Sequence, residues 1–192
     1  LEEVALVPSR QGKALSSASG LRLLEVDRDA MGGAKQAGEL VDLLEDPDSF
    51  ADPAVLSDRA VAALDEMNID PVAPARFAQR VAPTGTDFDR TIRLLEAWVD
   101  QIPGARARQQ VLDALRDRPV VLDSTGTWQE PGDVILGGGL SEEFAHLLDL
   151  RIAKNPWSKQ ARGVLEGSLG VKELDVGLVV RRVAKVVDNL DD

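Results

Sequence analysis

His146 is the only histidine in a chain of 192 residues that contains no cysteine. Disulfides, thiolate metal sites and cysteine nucleophiles are therefore excluded. A Ser-His-Asp triad has one possible base, and a multi-histidine metal site is impossible. His146 lies one position before Leu147-Leu148 on an apolar-periodic segment, which suits a solvated helix face. Carboxylates are plentiful, at Asp46 and Asp48, Asp87 and Asp89, and Asp188, Asp191 and Asp192. None of these groups has the spaced oxygen ligands and central glycine of a calcium loop. Gly137-Gly138-Gly139 precedes a helical segment, where backbone N–H groups could cradle a phosphate. The lysine and Ser/Thr of a phosphate loop are missing, and Glu142 and Glu143 would repel an anion there. Ser141 reads as the N-cap. No catalytic, cofactor or metal residue is assigned.

Asp123-Ser124-Thr125-Gly126 puts a carboxylate and two hydroxyls on a turn. It superficially resembles an aspartic-protease loop, but the glycine comes one residue late. Asp123 is the first suspect of one alternative function, a small carboxylate-dependent hydrolase. That alternative requires a pocket of convergent carboxylates with a raised pKa on one of them. A second alternative is a nucleic-acid module using the Arg106–Arg118 helix through Arg106, Arg108, Arg116 and Arg118, which would have to form one positive face. Trp98 stands among apolar neighbours and reads as core. Trp128 follows a hairpin turn and Trp157 follows Asn155-Pro156, so both are candidate interaction anchors.

The elements that would position these residues come from composition and pattern. With 22 Lys+Arg against 33 Asp+Glu the net charge is −11, which opposes phosphate backbones and anionic lipid. An apolar fraction of 44% is sufficient for a core. No apolar run approaches a membrane span and no secretory leader is evident, so a cytoplasmic location is expected. The chain opens at Leu1, without methionine, on a strand-like segment. It reads as a piece of something longer.

Two stretches share one grammar. Leu6 to Leu15 and Val120 to Gln129 each pair short apolar runs about a glycine turn, and Val7/Val121, Gly12/Gly126 and Leu21/Ile135 all stand 114 positions apart. Further on, Leu43-Leu44 matches Leu147-Leu148, Ser57, Ala60 and Leu64 match Ser158, Ala161 and Leu165, and Met67-Asn68-Ile69 matches Leu169-Gly170-Val171. Val72, Phe77, Arg80 and Val81 then match Leu174, Val179, Arg182 and Val183. Each copy is read as a hairpin and three helices, with Asn68 and Gly170 at left-handed corners. Val176, Val179, Val180, Val183, Val186 and Val187 predict one buried face on the last helix. Ile92, Leu94, Leu95, Trp98 and Val99 mark a connecting helix stopped near Ile102-Pro103-Gly104, and Val111, Leu112 and Leu115 mark its partner. The expected fold is α+β and mainly helical. Two related hairpin-plus-helices subdomains, 1–83 and 119–192, are joined by a helical pair, 84–118.

The segment Arg118-Pro119-Val120-Val121-Leu122 to Gly126-Thr127-Trp128-Gln129-Glu130-Pro131-Gly132-Asp133-Val134-Ile135-Leu136 resembles a phrase that recurs in sacsin-like proteins, which carry an Hsp90-type (GHKL) ATPase domain. Val7-Pro8-Ser9-Arg10-Gln11-Gly12 is a weaker version without the tryptophan. Leu169-Gly170-Val171-Lys172-Glu173-Leu174 is similar to a corner in the same regions. The family's ATPase residues are not found: there is no helical Glu-x-x-x-Asn, and Asp175-Val176-Gly177 lacks a second glycine. The resemblance implies a middle, non-catalytic scaffold or interaction segment of an ATP-binding, chaperone-like protein. Its expected partners are other domains of that protein or client polypeptides, with neither nucleic acid nor membrane.

Overall fold

The computed structural model describes residues 7–188 apart from 10–11, 13, 16–20, 25, 28, 67–68, 70, 138 and 155–157. The architecture is a mainly helical α+β fold. In chain order its elements are β1 (Val7–Pro8), β2 (Ala14–Leu15), α1 (Ala34–Val41), α2 (Asp58–Glu66), α3 (Pro74–Ala78), α4 (Phe88–Gln101) and α5 (Ala105–Arg116). There follow β3 (Val121–Leu122), β4 (Trp128–Gln129), β5 (Ile135–Leu136), α6 (Glu142–Leu147), α7 (Lys159–Gly163), β6 (Lys172–Glu173) and α8 (Val176–Asp188). Among the described residues no helix is long and apolar enough to cross a membrane.

The same backbone pairings occur twice. β1 pairs antiparallel with β2, and β3 with β4. Each hairpin turns on a left-handed glycine, Gly12 at φ 80° and Gly126 at φ 85°, a conformation costly for side-chain-bearing residues. The glycine N–H donates back to the Ser9 carbonyl at 2.9 Å in one and to the Asp123 carbonyl at 3.0 Å in the other. Antiparallel bridges then join Ser9 to Ala51 and Asp123 to Ala153, and parallel bridges join Arg22 to Phe50 and Ile135 to Ile152. The Val72 N–H reaches the Leu23 carbonyl at 2.9 Å, and the Leu174 N–H reaches the Leu136 carbonyl at 3.0 Å. Ser57 and Ser158 cap α2 and α7 alike, each accepting at 3.1 Å from the N–H three residues on.

These pairings correct the sequence alignment by one residue. Arg22, not Leu21, holds the place of Ile135, and Leu23 that of Leu136. Strand side chains alternate between faces, so the slip matters: Leu23 and Leu136 are both buried, while Arg22 and Ile135 are both half-buried. The Gly170 corner takes φ 74° as expected, whereas Asn68 lies outside the described residues. α7 runs into a π-helical turn over Val164–Ser168 before that corner.

Most of the apolar interior is one continuous cluster containing Phe50, Phe77, Val81, Ile92, Trp98, Val111, Leu115, Val121, Leu136 and Leu165. α4 packs on α1 and α7, and α5 packs on α3, so the helical pair contacts both hairpin units. Asp87 starts α4 by accepting the Arg90 N–H at 3.1 Å, and α4 ends at Gln101, just before Ile102-Pro103-Gly104. Asp89 in the first turn accepts the Ser158 N–H at 2.6 Å, tying α4 to the start of α7. A smaller cluster, with Val7, Leu21, Leu23, Ala51, Leu56 and Leu64, lies under the first hairpin.

One expectation about the interior fails. The valine periodicity of α8 predicts a buried face, yet Val176, Val180, Val183 and Val187 are all exposed. The half-buried residues of this helix are Gly177, Leu178, Val179, Arg182 and Val186, so α8 rests on a neighbouring stripe. Periodicity reports that a face is apolar; it does not supply the element that covers it.

Candidate interaction site

The turn at Asp123 is built to use its carboxylate internally. Oδ1 accepts the backbone N–H of Thr125 at 3.0 Å, the N–H of Thr127 at 2.9 Å and the Thr125 hydroxyl at 2.6 Å. Oδ2 accepts from the Gln129 side-chain amide at 3.0 Å. Burial pushes this carboxyl up, but the bonds from Thr125, Thr127 and Gln129 outweigh that effect and hold it below the usual carboxylate range. A general acid needs the opposite displacement.

A cleft of about 420 Å³ beside this turn is lined by Asp123, Glu142, His146, Asp149 and Arg151, among others. Nothing in the residue order signals that these groups gather, because they come from a hairpin turn, a helix and the loop after it. α6 ends in a Schellman motif: the Asp149 N–H bonds to the His146 carbonyl at 3.1 Å and the Leu150 N–H to the Ala145 carbonyl at 2.9 Å. Asp149 is the one non-glycine residue with positive φ among the described residues, at 52°, a region that aspartate tolerates. His146 is exposed on the rim. The described residues include no group of three or more His, Asp or Glu side chains suited to a metal ion.

The glycine run leads into α6 with Ser141 as N-cap, its hydroxyl accepting the Phe144 N–H at 3.2 Å. A Cβ on Gly137 would lie 2.6 Å from Ile152 Cγ2, so this glycine permits close approach of two chain segments. Among the arginines, Arg106 and Arg108 are exposed on α5. Arg116 instead donates to Asp113 and to the Ser168 carbonyl, at 2.7 and 2.9 Å. Arg118 donates to the Val81 carbonyl at 2.9 Å and pairs with Glu45. Two of the four therefore serve as internal struts, and the single positive face is not assembled.

Trp98 is core, as read from the sequence. Trp128, a candidate anchor, is half-buried. Its indole N–H donates to the Gly85 carbonyl at 2.9 Å, and its ring meets Phe88 edge-on with centroids 5.9 Å apart. It fastens the second hairpin to the entrance of α4. Trp157 lies outside the described residues.

Most of the large exposed apolar side chains lie elsewhere, on α6 and α8, with Val55 and Val61 exposed as well in the first unit. Val176, Val180, Val183 and Val187 are 78, 61, 37 and 50% exposed, and Phe144 and Leu147 of α6 are 38 and 59% exposed. An ion pair of 3.8 Å between Arg182 and Asp149 links α8 to the end of α6. The sequence held the signal, in the spacing of the valines, but it could not distinguish a core face from a docking face. Comparison of the chain with family models, with curated proteins and with solved structures finds no match.

Proposed function

We propose that this chain is a non-catalytic scaffold or protein-interaction module, of the kind expected in the middle, non-catalytic region of sacsin-like ATPase-containing proteins. The observation that carries the interaction reading is the row of exposed valines on α8, a surface of the kind soluble domains keep for partners. The family reading rests on the sequence phrase from Arg118 to Leu136, which forms the β3–β4 hairpin and β5. The internal use of the Asp123 carboxylate speaks against the hydrolase alternative. The partner class is polypeptide: other domains of a parent protein, or clients.

The reading is tested by placing a photo-crosslinking residue at Val180 and, as a control, at exposed Lys35, in the chain expressed in its native cells. A discrete polypeptide adduct from position 180 that is absent from position 35 is expected. Equal labelling at both positions overturns the reading, as does ATP hydrolysis by the chain above a buffer blank.

A further inference from the structure

The two units differ most in what lies over their helices. Counting on from the shared Val72 and Leu174 bonds, Phe77 and Ala78 of α3 correspond to Val179 and Val180 of α8. Both residues of α3 are completely buried where α4 and α5 pack over the helix. The Phe77 ring lies 4.8 Å from that of Trp98 on α4, and α5 packs along α3. In the second unit Val180 is 61% exposed where Ala78 is 0%. The other helix repeats the contrast. Leu40 of α1 and Leu43, in the turn that follows it, correspond to Phe144 and Leu147 of α6. α4 lies against α1, where Leu40 is fully buried and Leu43 is packed against the core, while Phe144 and Leu147 face solvent. The surface left open in the second unit is thus the surface that α4 and α5 occupy on the first.

The pattern of the open surface also specifies its occupant. Val176, Val180, Val183 and Val187 are spaced four, three and four residues apart, the seam by which one helix packs on another through knobs and holes. Isoleucine at both alternating seam positions favours packing among three or more helices over a two-stranded dimer, and valine shares its β-branching, which fits a helical pair better than a second α8.

We propose that the exposed face of α6 and α8 is the docking site of an amphipathic helical pair of the α4–α5 type, carried by a further unit of the same kind. This rests on the interaction-module reading and names the partner that the module takes.

The test is a chain extended after Asp192 by a Gly/Ser linker of about 15 residues and a second copy of residues 84–118. Such a linker spans roughly 20 Å, about the length of α8, so the added pair can fold back along it. Amide exchange in α6 and α8 should slow at least about tenfold relative to the unextended chain, the equivalent of about 1.4 kcal/mol. Val180→Glu with Val183→Glu should abolish that gain. The same pair in the unextended chain should leave its Tm unchanged, because both positions are exposed. Unchanged exchange in the extended chain overturns the proposal, as does a gain that survives the two glutamates. Self-association of the unextended chain through the valines, or its binding to vesicles containing anionic lipid, assigns the face to another occupant and also overturns it. If position 180 crosslinks a polypeptide while the extended chain shows no gain, the helical pair is wrong and the interaction reading stands. If both fail, that reading fails too.

Discussion

The helical pair α4–α5 closes over the last helix of the first hairpin unit, while the last helix of the second keeps an apolar face in the open. The glycine turn, the paired strands and the bond between Val72 or Leu174 and the strand before it recur in both, while among the described residues the first unit alone adds an antiparallel bridge between Leu44 and Val81. Five core positions are also shared: Val7, Leu21, Leu23, Ala51 and Leu64 are buried in one, and Val121, Val134, Leu136, Ala153 and Leu165 in the other. Hydrogen-bonded frame and inner face therefore recur together, while the outer face depends on what packs beside it. That separation teaches that a repeated local frame can support either a closed core or an exposed contact surface.

The largest effect that would break the comparison is expected in the covered helix, set against the exposed face of its counterpart. Phe77→Ala removes a ring that touches both Phe50 and Trp98, and should cost about 3–5 kcal/mol in denaturant unfolding. Val180→Ala in the second unit should stay within about 0.5 kcal/mol. Equal losses would mean that α8 is covered in solution.

Gly137 gives the next contrast, for the first unit carries Leu24 there. Gly137→Ala drives a Cβ to 2.6 Å from Ile152 Cγ2, on a β-branched side chain with little room to turn. A loss of about 1–3 kcal/mol is expected from thermal unfolding. A neutral result would place the two segments farther apart.

The hairpin turns supply a third contrast, Asp123 against Ser9. Because the folded carboxyl titrates below its ordinary value, the unfolded chain takes up the proton first. The stabilisation is therefore complete above about pH 4 and is lost as pH falls through the folded pKa. Asp123→Asn should cost about 1–2 kcal/mol at neutral pH and reduce the acid dependence of unfolding, measured by urea midpoints between pH 2 and 7. An unchanged acid limb would remove Asp123 as its source. Ser9→Ala should leave that limb untouched.

The smallest effect concerns Trp128, whose counterpart in the first hairpin is Ala14. Trp128→Phe keeps an aromatic edge for Phe88 and deletes the N–H bonded to Gly85, for a loss of about 1 kcal/mol. Loss of a bound partner from this substitution, with stability unchanged, would restore Trp128 as a recognition residue.

Much of this arrangement was legible in residue types. Gly12 and Gly126 marked the turns because their backbone conformation favours glycine, and Ser141 and Ser158 marked helix starts because their hydroxyls satisfy free N–H groups. The strand register is ambiguous by one residue in the sequence, since Leu21 and Leu23 are both apolar and only hydrogen bonding separates the alternatives. The cleft around His146 was not legible at all, because its lining joins residues from separate elements.

What the amino-acid order determined alone is local: where helices begin and where the chain turns. These depend on dihedral preference and on hydrogen bonds between near neighbours. Tertiary structure alone decided that Trp128 fastens a hairpin to α4 and that the valines of α8 face solvent. Each is a matter of which distant surface arrives beside a residue. An apolar stripe carries the same free energy of burial whatever covers it, so its sequence does not say whether the cover comes from this chain or from another.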